Sequence, residues 1–234
     1  MGATKISLRP LKGHDEDAAK KQHDGSVEAR INDCTSPPPI RLHGGGDKYA
    51  TGAKTTIRLT KEGTTIGTWN MHSLHACGKV QTLTHELECY WWDIPGLAVF
   101  RWTGFEETTT DEGHKIWNCG EDLKHQYGVA FIVRKENACS IISCTPISSR
   151  LISIWISVRP NNITVIQVCA PTSDYEDEEV KQLYVQLDSL IANTPTEDIL
   201  VVHGNWNAKV GADTYQHWAG PVGRFGIGQT NDGG

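Results

Sequence analysis

No stretch of this chain approaches the run of about 18 apolar residues that a membrane-crossing helix requires, so a spanning helix is excluded. The N-terminus, M-G-A-T-K-I-S-L-R-P, likewise lacks the apolar segment of a secretory signal. C-x-x-C is absent as well. The seven cysteines (34, 77, 89, 119, 139, 144 and 169) are odd in number and irregularly spaced. That pattern argues against a disulfide framework and for the reduced thiols of an intracellular, cytosolic or nuclear, protein. Positive charge is scarce too. Of 22 Lys+Arg and 28 Asp+Glu, residues 1–62 hold 11 and 8, which leaves 11 against 20, a net of −9, for residues 63–234. A DNA backbone is bound by neutralising its phosphates, and the composition of that body works against it.

What is present supports a globular core: 38% hydrophobic residues and 8 Trp in 234 residues, enough for one large domain or one domain and a tail. Residues 1–62 read as a disordered polar tail. Lys, Asp, His, Gly and Ser dominate there, P-P-P stands at 37–39 and G-G-G at 44–46, and no period of 2 or 3.6 is sustained. The domain is expected over residues 63–234.

Within it, T-T-I-G-T-W-N (64–70) reads as a strand ending at Asn70. A helix over 79–91 puts Val80, Leu83, Leu87 and Tyr90 on one face. D-I-P-G-L-A-V-F-R-W (93–102) holds a strand whose start Pro95 weakens, and the acidic, Thr-rich stretch 106–112 reads as an exposed loop. G-V-A-F-I-V-R (128–134) is a strand. Two more β-rich runs, 150–158 and 162–169, flank a turn at R-P-N-N. A helix over 176–192 follows, with Ser173 and Glu176 as a capping box and Val180, Leu183, Tyr184, Leu187 and Leu190 as its buried stripe.

The most informative stretch is D-I-L-V-V-H-G-N-W-N-A-K-V-G, from Asp198 to Gly211. Its apolar run, Ile199 to Val202, reads as a buried strand that breaks at Gly204 and delivers Asn205, Trp206 and Asn207 at its C-terminal lip. In α/β sheets that lip is where ligands usually sit. Asn70, the region of Val99, and Cys169 before A-P-T-S are further marked strand ends, and strands that converge polar groups on one lip build phosphate or metal sites.

Four segments taken together, G-T-W-N-M-H-S-L, G-L-A-V-F-R-W-T-G, N-I-T-V-I-Q-V-C-A-P-T-S and H-G-N-W-N-A-K-V-G, resemble the endonuclease/exonuclease/phosphatase superfamily in order and spacing. They are most similar to the apurinic-site-endonuclease-like domain of LINE-type retrotransposons and to related host proteins of the craniofacial development protein 2 family. The similarity runs from about Gly67 to the C-terminus. It implies an α/β fold of two mixed sheets packed as a sandwich flanked by helices, as in DNase I-like and apurinic endonucleases. It also implies Mg²⁺-dependent hydrolysis, or nicking, of DNA phosphodiesters, with DNA as partner.

Carried over position by position, the resemblance implies a remnant site. The family's metal-holding Asn matches Asn70, and its second site Asn matches Asn207. The family's metal-binding Glu falls at Val99, its phosphate-contacting Tyr at Cys169, and its water-activating Asp at Asn205. The closing strands with their Ser-Asp-His motif are not found before Gly234, so the sequence reads as incomplete at its C-terminus. Mg²⁺ favours carboxylate oxygens, and an amide cannot accept a proton from water near neutral pH. The expectation is therefore a catalytically inactive copy that binds Mg²⁺ poorly, with a non-catalytic interaction module and a remnant without function as the alternatives. Glu106 and Glu107 could supply a carboxylate only if the fold brought them to the lip. His72, His75 and Cys77 fit no standard zinc spacing and read as loop residues. Trp91, Trp92, Trp102, Trp206 and Trp218 are candidates for base stacking, Trp206 more simply for packing against the sheet.

Overall fold

The computed structural model describes residues 3–8, 29–33, 57–58, 64–71, 79–90, 92–123, 127–172, 175–211, 214 and 228–230. Among these the strands are β1 (Ala3–Leu8), β2 (Ala29–Asp33), β3 (Ile57–Arg58), β4 (Thr64–Asn70), β5 (Ile94–Ala98), β6 (Phe105–Thr109), β7 (Lys115–Cys119), β8 (Val129–Val133), β9 (Ile141–Ser148), β10 (Leu151–Ile156), β11 (Val158–Arg159), β12 (Ile163–Cys169) and β13 (Ile199–Asn205). The helices are α1 (Lys79–Tyr90) and α2 (Asp177–Asn193). One sheet has the order β2-β1-β4-β5-β8-β7-β6 and a second the order β13-β12-β10-β9, while β11 and β3 pair separately. Both large sheets are mixed: β4 is parallel to β5 and β12 to β13, and their other pairings are antiparallel.

Strand periodicity explains the layering. Successive side chains alternate between faces, so every second residue enters the space between the sheets. Ile66, Ile94, Val129, Phe131 and Val133 of the first sheet meet Ile152, Ile154, Ile156, Ile163 and Val165 of the second in one core, most of them fully buried. The alternate residues face outward and are covered by helices. Leu83 and Leu87 of α1 pack with Leu97, Phe100, Ala130 and Ile132, and Leu183 and Leu187 of α2 pack with Leu151, Ile166, Val168 and Ala170. Each such fully buried side chain contributes about 1.5–3 kcal/mol relative to exposure. The architecture is the two-sheet α/β sandwich expected from the sequence.

Of the segment 1–62, read as a disordered polar tail, residues 3–8, 29–33 and 57–58 are described; they form β1, β2 and β3, and β1 pairs antiparallel with β4 along its length. Other local expectations are corrected. The stretch 106–112, read as a loop, begins inside β6, which forms a hairpin with β7. Cross-strand bonds hold it: Lys115 Nζ donates to Glu107 Oε1 at 2.8 Å and Trp117 Nε1 to Glu107 Oε2 at 3.0 Å. Exposure of both faces of β6 hid the strand from a periodicity reading. In α2 the expected stripe fails at Tyr184, which is 48% exposed, while Leu183 and Leu187 are buried. The helix N-cap is Glu176, with no side-chain capping bond. Ser173 of the expected capping box, His72, His75, Cys77, Trp91 and Trp218 lie outside the described residues.

Candidate functional site

The two parallel strand pairs send their C-terminal ends to one end of the sandwich. Along the inner face of each strand the residues come in layers. The apolar layer of Ile66, Ile94, Val165 and Val201 gives way to Thr68, Gly96, Gln167 and His203, and then to Asn70, Ala98, Cys169 and Asn205 at the lip. Register confirms the last step: Asn70 stands beside Ala98, and Cys169 beside Asn205. A hydrogen bond joins the sheets here: Gln167 Nε2 donates to Thr68 Oγ1 at 3.0 Å.

The structure therefore brings the five sequence-predicted positions to one lip. Asn70 ends β4, half-buried, with Met71 N–H next to it donating to Ala98 O. Val99 follows β5 with φ +60° and packs against the inter-sheet core. That left-handed backbone is strained for a β-branched residue, by about 1–2 kcal/mol. Its side chain serves as apolar filling. Cys169 is buried, and burial pushes its thiol pKa up, against the lowering influence of the Val99 backbone and the Arg150 charge. Asn205 Oδ1 accepts from Asn207 N–H at 3.3 Å, and Asn207 Nδ2 donates to Ala170 O at 2.6 Å. Ala170 N–H in turn donates to Asn205 O at 2.8 Å, so the turn after β13 is laced to the end of β12. Trp206 packs on the core beneath α2, as expected for a sheet-packing aromatic.

Arg150 steadies this end from behind. It follows β9, and its guanidinium stacks on Tyr127 at 4.2 Å and Tyr175 at 4.9 Å while Nη1 donates to Cys169 O at 3.3 Å. The two phenols are hydrogen-bonded to each other, which pushes Tyr127 up to about 12. A cleft of about 370 Å³ opens beside Arg150, lined by Ser148, Ser149, Glu121, Glu179 and Gln182 among others.

The donor set at the lip does not fit Mg²⁺. Asn70, Asn205 and Asn207 offer neutral amides, Cys169 a protonated soft thiol, and Val99 no donor, whereas Mg²⁺ takes hard oxygens that usually include one or two carboxylates. Among the described residues no group of three or more His, Cys, Asp or Glu is placed to hold a metal ion. Glu106 and Glu107 do not make up the loss: they stand on β6, at the far edge of the first sheet, and Glu107 is paired with Lys115. Nor can Asn205 take a proton from water, since its amide is not basic.

Sequence reasoning missed the polar layer under the lip. His203 is wholly buried, and desolvation pushes its pKa down to about 3. Among the described residues neither of its ring nitrogens has a hydrogen-bond partner, nor does Gln167 Oε1. Gly96 makes room for both: a Cβ there would sit 2.0 Å from Gln167 Oε1 and 3.0 Å from His203 Nε2. The signal in the sequence was a polar residue at alternating, core-facing positions of two apolar strands.

No family model matches the chain. It is 40% identical over 220 residues to craniofacial development protein 2 of Bos taurus, covering 91% of this chain and 36% of that protein. The chain thus spans about a third of the length of the curated relatives it matches. Among solved structures, a humanized D. rerio TDP2 with 14 mutations aligns with a TM-score of 0.46 at 14% identity, over 65% of this chain and 69% of that one. The endonuclease domain of TRAS1, a telomere-specific non-LTR retrotransposon, aligns at 0.41 and 13% identity, over 61% and 58%.

Proposed function

We propose that this chain, a homologue of craniofacial development protein 2 over most of its own length, is an endonuclease-like domain that no longer hydrolyses DNA phosphodiesters. The observation that carries the reading is the chemistry at the ends of β12 and β13. Asn205 stands in register with Cys169, and its amide is bound into the turn that Asn207 fixes to Ala170. A carboxylate at that position could hold a cation or take a proton; the amide does neither near neutral pH. Val99, turned into the core, removes a second donor from the lip. Losses of groups that act together typically cost orders of magnitude in rate, and the groups that remain rarely act alone.

The retroelement origin and the ancestral Mg²⁺-dependent nicking of DNA belong to the same proposal. They rest on the four motifs around Asn70, Val99, Cys169 and Asn205. The fully buried inter-sheet core supports a folded, non-catalytic interaction module over a remnant without function. For that module a protein partner suits the −9 charge of residues 63–234 better than DNA does.

The test is nicking of supercoiled plasmid with Mg²⁺ and with EDTA. The expected result is no nicking above a protein-free control. Nicking that EDTA abolishes and that Asn207→Ala removes would overturn the reading.

A further inference from the structure

Helix α2 buries one apolar face against the sandwich and leaves further apolar side chains exposed. Leu183 and Leu187 are buried against the second sheet. On the opposite side Lys181, Tyr184, Val185 and Asp188 follow one another at i, i+3, i+4 and i+7, the spacing of a single helical stripe. Tyr184 is 48% and Val185 68% exposed, and Lys181 and Asp188 are exposed as well. Exposed aromatic and β-branched residues side by side on a helix are what a partner helix covers.

From this stripe we propose that α2 pairs antiparallel with α2 of a second copy of this chain. The charge pattern selects both the partner and the register. Lys181 is the only cation in the helix, and it lies as far before the midpoint of Tyr184 and Val185 as Asp188 lies after it. A two-fold axis through that midpoint sets Lys181 of each copy against Asp188 of the other. Between the two ion pairs it brings Tyr184 onto Tyr184 and Val185 onto Val185. A register centred one turn further along would oppose Asp188 to Asp188, which costs rather than contributes. The intrahelical pair that competes for Lys181, with Glu178 at 3.9 Å, is exposed on both sides and therefore weak. An isologous contact of this kind is self-complementary by construction of the symmetry. One helix seam covers less than the roughly 800 Å² per partner of a standard interface, so the dimer is weak and dilution dissociates it.

Sedimentation velocity of the 234-residue chain over a dilution series tests the pairing. The expected result is a reversible monomer–dimer equilibrium. Val185→Glu and Lys181→Asp should each weaken it about tenfold or more, with near-UV circular dichroism unchanged because both side chains are exposed. The double exchange Lys181→Asp with Asp188→Lys should restore it. A chain monomeric at every concentration, a dimer unaffected by Val185→Glu, or a charge exchange that fails to restore association would each overturn the proposal.

Discussion

Acidification should destabilise this protein through one imidazole. In the fold His203 sits between the sheets with its pKa pushed down to about 3 by burial. In the unfolded chain a histidine titrates near 6.5. Between those two values the unfolded state binds the extra proton, so stability falls as pH drops through that window and is fully present above it. With these two pKa values the loss between pH 7 and pH 5 is about 2 kcal/mol, from this group alone. His203→Leu removes the titration, along with two buried nitrogens that have no hydrogen-bond partner among the described residues. Urea unfolding followed by tryptophan fluorescence at both pH values, for the wild type and the variant, isolates the contribution. The wild type should lose about 2 kcal/mol more than His203→Leu on going from pH 7 to pH 5. Equal pH dependence in the two proteins would refute the claim that His203 is buried and neutral.

Three further outcomes follow from the same end of the sandwich. Gly96→Ala places a methyl 2.0 Å from Gln167 Oε1; it should cost about 1–3 kcal/mol in urea unfolding, and most of that should vanish in a Gln167→Ala background. Gly204 has φ +154° and a Cβ position 2.0 Å from the backbone oxygen of Val168; Gly204→Ala should therefore destabilise more than Gly96→Ala, because backbone of β12 cannot swing aside as a side chain can. Arg150→Ala removes the bond to Cys169 O and the stacking on Tyr127 and Tyr175. It should lower stability by about 1–3 kcal/mol and speed amide exchange at Ala170, and Arg150→Lys should not recover it, since an ammonium lacks the planar stacking face.

Much of the architecture was legible because burial imprints a period on strands and helices. β4, β8 and β12 were readable as apolar or alternating runs, and the strand end at Asn205 was marked by Gly204. The placement of Asn70, Val99, Cys169, Asn205 and Asn207 at strand ends was legible too, since each closes or follows a readable strand. Where both faces of an element meet solvent, no period survives, which is why β6 read as a loop. Tyr184 read as core because its spacing from Val180 and Leu187 is helical, yet an apolar residue at helical spacing from part of a stripe can lie at its exposed margin.

The sequence by itself determined the chemistry that the lip lacks. No folding turns the amide of Asn205 into a base or gives Val99 an oxygen. Only the tertiary structure decided that these positions meet at all. It also decided that Val99 turns into the core and that Gln167 and His203 share the space left by Gly96. The reason is physical. Which face of a strand is buried, and what stands opposite it, depends on the register of β4 with β5 and of β12 with β13 and on how the two sheets pack, and that is set by contacts far apart in the chain.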